Sequence, residues 1–317
     1  MSAWDLPTIL SALGILVSIV IGAITLHMAI KIANRQDEQL RELDMQKTKH
    51  ENVRKFFKIH GRSPGFVCAY PAELTGKPFY SINSGDHAAL HILVDLIGAP
   101  QLKLIPVVKG RPHSIPNGDG ILHLCSPSAN DALNEIFPPL VLEGPDESKR
   151  QSARAEYQID LPCWFVHEKG SSTYPPTKDL PYLKVICIRQ PHQHIDSPAE
   201  PEYRQANLMQ GAYVPKFEVL QDVAILLRSH HRGQLIFVLA GIHQYGTVIA
   251  AKFLHQLIHA HGKASEYRDL LLSDNDFVAV VEGSYDVTKL DATIADIKKG
   301  YVWVRPPNSG SEWQRRE

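Results

Sequence analysis

The sequence has little cysteine and no excess of charge of either sign. Its 317 residues include four cysteines without a CxxC pair, so it carries no recognisable zinc ribbon and no disulfide framework. The 33 Lys and Arg residues are balanced by 34 Asp and Glu residues, and without a basic field no binding to nucleic acid is expected. Cys125, Cys163 and Cys187 lie in or beside apolar runs, which predicts buried, reduced thiols.

Charge is absent altogether from residues 8–30, "TILSALGILVSIVIGAITLHMAI". A helix of this length spans about 35 Å, enough to cross the roughly 30 Å hydrocarbon core of a bilayer. A cleaved secretory signal is not favoured, because the leader "MSAWD" has no basic residue and the segment ends in "LHMAIK" rather than in an A-x-A cleavage site. We therefore predict that residues 1–30 hold a transmembrane helix and that the bilayer is a partner.

Basic residues lie on only one side of this predicted helix. Lys31, Arg35 and Arg41 follow it, whereas no Lys or Arg precedes it. Because basic flanks remain on the cytoplasmic side, the rest of the chain is expected in the cytoplasm. In a bacterium the protein would be a single-pass protein of the inner membrane.

Residues 31–61 lack proline entirely and glycine until Gly61. Their Gln, Glu, Lys, Arg and Leu content predicts a helical stalk. Apolar positions are too sparse for a regular heptad seam, which favours a solvated stalk. Self-association through the stalk is the alternative.

Apolar strands alternate with helical patterns over residues 66–306, followed by a polar tail at 307–317. The spacing predicts a helix over 85–99, with Asp86 suited to capping, and strands at 102–108 and 120–124. The short polar segment between "DVAILLR" and "LIFVLAG" predicts a hairpin of two strands. The alternation predicts a mainly parallel, Rossmann-like three-layer α/β sandwich, preceded by the transmembrane helix and the stalk.

Two turns at strand ends are the candidate ligand site, because ligands of such sheets bind beyond the carboxyl ends of the strands. In "CSPSAND" the hydroxyls of Ser126 and Ser128, together with Asn130, could hold an anion at a helix N-terminus.

The second turn is "AGIHQYGT". Gly241 and Gly246 permit a close backbone approach, Thr247 begins a helix, and His243 lies between them. Thr247 stands where a P-loop requires lysine, and the GxGxxG fingerprint is absent, so P-loop hydrolysis of nucleoside triphosphates is unsupported. Either the turn binds a phosphate or nucleotide, or it is an ordinary glycine turn with Thr247 as a cap.

Catalytic and metal-binding patterns are weak. "PHQHID" (residues 191–196) lacks the final histidine of HxHxDH, so no metal site is predicted. Cys125 and His243 could form a nucleophile pair if their loops met, although an inert buried thiol is favoured. The sequence identifies neither a catalytic residue nor a cofactor.

The combination of "ILHLCSPSAND" with "DVAILLR" and "LIFVLAGIHQYGTVIAAKFL" resembles a set of poorly characterised bacterial Rossmann-like domains, some of them attached to membrane helices. The resemblance implies no established activity. It implies a site framework made of Ser126, Pro127, Asn130, Gly241, Gly246 and Thr247.

The architecture is similar to membrane-anchored sensors and effectors of bacterial defence systems. We therefore expect a single-pass, membrane-anchored sensor or effector whose cytosolic domain binds a nucleotide-like or phosphorylated small molecule. The alternatives are a membrane-anchored nucleotide-processing hydrolase or glycosidase, and a tether for a protein partner.

Overall fold

The computed structural model describes residues 6–58, 66–76, 79–98, 102–115, 120–127, 129–137, 140–143, 161–169, 182–187, 202–204, 219–231, 233–259, 262–286, 296–307 and 313–316. The chain divides into two compact units, Met1–Glu51 and Asn52–Glu317.

Helix α1 (Leu6–Phe56) is 51 residues long and supplies the whole described part of the first unit. It contains a segment long and apolar enough to cross a membrane, and none of that segment is buried within the protein. Two hydroxyls in the apolar part bond back to the helix: Ser18 Oγ donates to the Gly14 carbonyl and Thr25 Oγ1 to the Ile21 carbonyl. Such bonds satisfy polar groups where water is absent. The predicted apolar helix is thus confirmed by length and composition.

The globular unit begins within the last turns of α1. Val53, Phe56 and Phe57 are buried in the core, and their neighbours Arg54 and Lys55 are exposed. Composition suggested a boundary near residue 66, whereas the compact unit begins at Asn52. The end of the segment assigned to the stalk therefore belongs to the globular core.

The described residues form thirteen strands and four further α-helices. The strands are β1 (Phe66–Gly76), β2 (Phe79–Ser81), β3 (Leu102–Val108), β4 (Gly120–Leu124), β5 (Leu140–Glu143), β6 (Cys163–Lys169), β7 (Tyr182–Cys187), β8 (Glu202–Arg204), β9 (Val219–His231), β10 (Gln234–Gly241), β11 (Asp276–Asp286), β12 (Asp296–Arg305) and β13 (Gln314–Arg316). The helices are α2 (Ser84–Ile97), α3 (Asp131–Asn134), α4 (Gln244–His259) and α5 (Asp269–Leu272), with a 3-10 helix at Gly262–Tyr267.

The larger sheet has nine strands in the order β13-β12-β11-β9-β10-β4-β1-β2, and β3 also pairs with β1. Among the described strands of this sheet, the β10–β4, β4–β1 and β1–β3 pairings are parallel and the other pairings are antiparallel. The prediction of a mainly parallel sheet was therefore wrong. Strands β9 and β10 form the hairpin that the sequence suggested, which makes this pair antiparallel. Strand β11 is also antiparallel to β9. Strands β5 to β8 form a second sheet.

Alternate residues of β10 point to different cores, as expected for a strand. Leu235, Phe237 and Leu239 pack with α2, α4 and the end of α1. Ile236 and Val238 pack in a second cluster with residues of α3 and β6 and with Trp313. The α/β class is confirmed. The described residues place α2 and α4 on one face and the four-residue α3 on the other, so the three-layer Rossmann-like arrangement is not confirmed.

The C-terminal segment expected to be a polar tail includes a strand. β13 pairs with β12, and the Trp313 side chain is buried beneath the Arg305 guanidinium, 4.4 Å from the ring centroid. Part of residues 307–317 therefore extends the edge of the sheet.

Candidate functional site

The candidate site lies at the carboxyl edge of the parallel strands β1, β4 and β10. The first predicted turn follows β4, and the second follows β10 and leads into α4. The N-terminus of α2 touches that of α4: a Cβ added to Gly85 would lie 2.6 Å from the Gln244 carbonyl oxygen. Two helix N-termini therefore meet above the ends of the strands.

Asp222 on β9 occupies the N-terminus of α4. Its side chain is buried, and Oδ2 accepts hydrogen bonds from the backbone N–H of Gly246 at 2.7 Å and of His243 at 3.2 Å. Oδ1 accepts one from the Val223 N–H at 2.8 Å. Burial raises the pKa of the Asp222 carboxyl, and these donors with the His243 ring oppose the shift. The N–H of Gly246, in the turn that the sequence suggested for a phosphate or nucleotide, is therefore bound by the protein's own Asp222 side chain.

Close packing explains the two glycines of the second turn. A Cβ on Gly246 would lie 2.6 Å from the Gly241 Cα and 2.8 Å from the Val223 carbonyl oxygen. Side chains cannot approach a backbone so closely, so this turn requires glycine whether or not it binds a ligand.

Asn130 in the first turn serves the fold. Its Nδ2 donates to the Ala69 carbonyl at 3.1 Å and to the Leu124 carbonyl at 2.8 Å, which ties the end of β4 to the neighbouring strand β1. Its Oδ1 accepts from the Leu133 N–H and caps α3. Ser126 is buried, and its carbonyl accepts from the Asn130 N–H. Ser128 and the "PHQHID" segment lie outside the described residues.

Cys125 has an unusual backbone conformation. Its φ of 73° is left-handed, which costs a residue with a side chain roughly 1–3 kcal/mol. Its N–H donates to the Leu239 carbonyl. Burial, with the nearby Asp86 carboxyl, raises the pKa of the thiol far above its ordinary value. The thiol is therefore protonated at neutral pH, which argues against Cys125 as a nucleophile.

Asp86 and Thr247 form the polar centre of this edge. Both residues are fully buried, and neither Asp86 oxygen nor Thr247 Oγ1 makes a hydrogen bond with any described residue. Burial raises the pKa of Asp86 to about 6. The side chains of Cys125, Thr247 and Asn83 oppose this shift, although none of them is in hydrogen-bonding geometry with an Asp86 oxygen. The sequence suggested Asp86 only as a cap, whereas Asn83 is the N-cap residue and makes no side-chain cap bond.

Side chains beside this centre are partly exposed. His243 is 35% exposed, and its Nδ1 lies 3.5 Å from Asp222 Oδ1. Gln244 and Tyr245 are also partly exposed, and Asn83 and Ser84 are exposed at the start of α2. A molecule in solvent could reach these side chains without unfolding the sheet.

The sequence pattern predicts both turns at one edge of the sheet but does not indicate the two buried carboxyl groups beside them. Asp222 opens the strand pattern "DVAILLR", where an acid before an apolar run was its only signal.

Among the residues that the structure describes, no group of three or more His, Cys, Asp or Glu side chains is arranged to hold a metal. No family model, curated protein or solved structure matches this chain.

Proposed function

We propose that the chain is a single-pass, membrane-anchored sensor or effector whose globular unit binds a nucleotide-like small molecule at the α2–α4 edge. The observation that carries this proposal is the buried Asp86 carboxylate beside Thr247, both without a hydrogen-bond partner among the described residues. A buried polar group without a partner destabilises a fold. Groups that oppose stability are common where a protein binds or reacts, because function requires them.

The charges of the edge favour particular parts of such a ligand. The Asp222 side chain already accepts the Gly246 N–H at the N-terminus of α4, and Asp86 adds a second carboxyl group nearby. A phosphate beside Gly246 would therefore find this N–H occupied and two carboxyl groups as its neighbours. Hydroxyl and amino donors, as on a ribose or a base, would instead supply the hydrogen bonds that Asp86 lacks. We therefore propose that Asp86 recognises hydroxyl or amino groups of the ligand, and that any phosphate of the ligand lies outside the Gly246 turn.

Thermal unfolding of the full chain in nanodiscs tests this proposal with adenosine, ATP, GTP, NAD and inorganic phosphate as probes. At least one nucleoside compound should raise the midpoint, because a ligand that binds only the folded state stabilises it. Inorganic phosphate alone should not. Asp86→Asn should raise the midpoint of the unliganded protein while removing the shift caused by the nucleoside compound.

Asp95→Asn is the matched control, since Asp95 lies on the same helix and its side chain is 66% exposed. It should keep the ligand-induced shift. Absence of any shift in the wild type, or an undiminished shift in Asp86→Asn, would reject the proposed site.

A hydrolase is the second candidate, favoured by the His243 ring beside the Asp222 carboxylate. A carboxylate next to a partly exposed imidazole can orient it as a general base toward a water molecule. Chromatography of each nucleotide after incubation tests this candidate. His243→Gln should still bind the nucleotide but no longer hydrolyse it. Nucleotides recovered intact after incubation with the wild type would reject the hydrolase and leave ligand binding as the proposed function.

We also propose that the globular unit lies on the cytoplasmic side of the membrane. In a bacterium this membrane would be the inner membrane. The support is the basic flank of Lys31, Arg35 and Arg41 after the apolar helix. A C-terminal green fluorescent protein fusion should fluoresce. Activity of alkaline phosphatase fused at the same position would place the unit on the opposite side.

A further inference from the structure

The last turns of α1 are held to the globular unit by two buried polar side chains. Asn52 Nδ2 donates to the Ile258 carbonyl, in the last turn of α4, at 2.9 Å. Arg228 Nη1 on β9 donates to the carbonyl of Phe56, the final residue of α1, at 3.2 Å. Helix termini normally leave such carbonyls to solvent or to caps. Here the end of α1 is fixed from two neighbouring elements.

Arg228 is a demanding residue to bury. Its side chain is fully buried, and Nη2 donates to the carbonyls of Leu270, Ser273 and Asn275. The guanidinium carbon lies 5.1 Å from the ring centroid of Phe56, a residue of α1, and equally far from that of Phe277. Burial lowers the pKa of Arg228 to about 10, which leaves it charged at neutral pH. A charge held by fixed carbonyls permits few alternative positions for the helix end.

Both contacts lead to the candidate site. Ile258 is on α4, whose first turn contains Gly246 and Thr247; at 16 residues this helix is about 24 Å long. Arg228 is on β9, whose other end carries Asp222, the acceptor of the Gly246 N–H. Helix α4 is closely packed, and such interiors transmit strain rather than absorb it.

We propose that α4 and β9 couple the α2–α4 edge to the last turns of α1, so that the state of the site and the state of the anchor's end influence each other. Asn52 and Arg228 are the positioning residues at the α1 end, and Asp222 is the positioning residue at the site. The stimulus rests on the proposed function, because ligand binding would be what changes the site. The connection itself exists without a ligand. It gives a membrane-anchored sensor a route between its site and its anchor.

Hydrogen exchange of the full chain in nanodiscs, without any added small molecule, tests the coupling. Asn52→Ala removes the donor to Ile258 while leaving the site untouched. The Gly246 amide, bound to Asp222, should then exchange roughly fivefold faster or more. Reciprocally, Asp222→Asn should accelerate exchange of the Phe57 amide, which bonds to the Val53 carbonyl at 3.0 Å.

Two comparisons separate coupling from general destabilisation. Amides of Val278 and Val280 in the core strand β11 should keep their exchange rates in both variants. Glu51→Ala, exposed and adjacent to Asn52, should leave Gly246 unchanged. Should Asn52→Ala fail to fold, Asn52→Leu, of similar volume and without a donor, provides the same comparison.

Acceleration confined to the last turn of α4, or equal acceleration throughout the unit, would overturn the proposed coupling. Because no ligand is present, this result is independent of the nucleotide panel. A panel without binding would reject the proposed function and leave the coupling standing. Ligand binding that depends on Asp86, together with unchanged hydrogen exchange at Gly246 and Phe57 in the variants, would support the proposed function and reject the coupling.

Discussion

Deleting the chain before residue 66 is expected to unfold the globular unit, because three buried side chains precede that point. Val53, Phe56 and Phe57 are 3%, 0% and 0% exposed. Burying side chains of this size contributes about 1.5–3 kcal/mol each, or roughly 5–9 kcal/mol for the three. Domains have a net stability of only about 5–15 kcal/mol. The loss is therefore comparable with the whole stability of the unit.

The aromatic contacts make this loss hard to compensate. The Phe57 ring lies 4.9 Å from that of Phe237 on the central strand β10 and 5.4 Å from that of Phe66. Phe56 contacts the Phe277 ring at 5.7 Å and supplies a carbonyl acceptor to Arg228. Deletion would therefore leave a cavity beside the central strand and a buried charge with one acceptor fewer.

Urea unfolding followed by near-ultraviolet circular dichroism tests this expectation on two fragments. The fragment Asn52–Glu317 should show fixed aromatic signals and one cooperative transition. Residues 66–317 should show weak aromatic signals and no sharp transition. Lys55→Ala in the longer fragment, an exposed change in the same turn, should alter stability by less than about 0.5 kcal/mol. Equal transition midpoints for the two fragments would refute the assignment of the α1 end to the core.

Three further predictions concern the edge of the sheet. Gly246→Val should lower the free energy of unfolding by about 1–3 kcal/mol in a urea titration, because its Cβ would collide with the Gly241 Cα. Asn130→Ala should lower it by about 1–3 kcal/mol, because a buried carbonyl within β1 and one at the end of β4 lose their donor; differential scanning calorimetry measures this loss. The Asp86 pKa of about 6 lies above the ordinary value, so the Asp86 carboxyl alone should contribute a fall in stability on the order of 3 kcal/mol as the pH rises from about 4 to 6. Asp86→Asn should lack that fall when unfolding is measured across this range.

The difference between wild type and Asp86→Asn isolates this carboxyl from other titrating groups. Burial lowers the pKa of His123 to about 3, which makes stability rise with pH throughout the same range and opposes the Asp86 contribution. His123 is present in both proteins and cancels in the difference. Parallel stability profiles of the two proteins across this pH range would mean that folding does not raise the pKa of Asp86. Likewise, unchanged stability of Gly246→Val or Asn130→Ala would contradict the packing described for its turn.

Local patterns predicted the elements well, because each depends on neighbouring residues. The apolar runs of β4, β9 and β10 gave strands, and the spacing of Leu90 and Leu93 gave the helix that the structure places in α2. Strand pairing depends on residues far apart in the chain. The antiparallel contact of β11 with β9 has no local signal, so alternation of strands and helices overestimated the parallel part.

The site shows the same division between local and distant information. The glycine turn follows from a short pattern, whereas Asn130, which the sequence suggested as a ligand-binding residue, caps α3. That Asp222 binds the Gly246 N–H depends on β9 lying beside β10, and the burial of Asp86 depends on α2 meeting α4. Phe56 ends a charged helical segment and is recognisable as core only when its partners are placed around it.

Native mass spectrometry of the Asn52–Glu317 fragment tests most directly whether the α2–α4 edge is a ligand site. Wild type and Asp86→Asn would be incubated with the small-molecule fraction of a cell extract and measured side by side. We expect the wild type to carry an additional nucleoside-containing mass and Asp86→Asn, although folded, to carry none. Two proteins without bound ligand, or two proteins carrying the same mass in equal amounts, would contradict a ligand site at this edge.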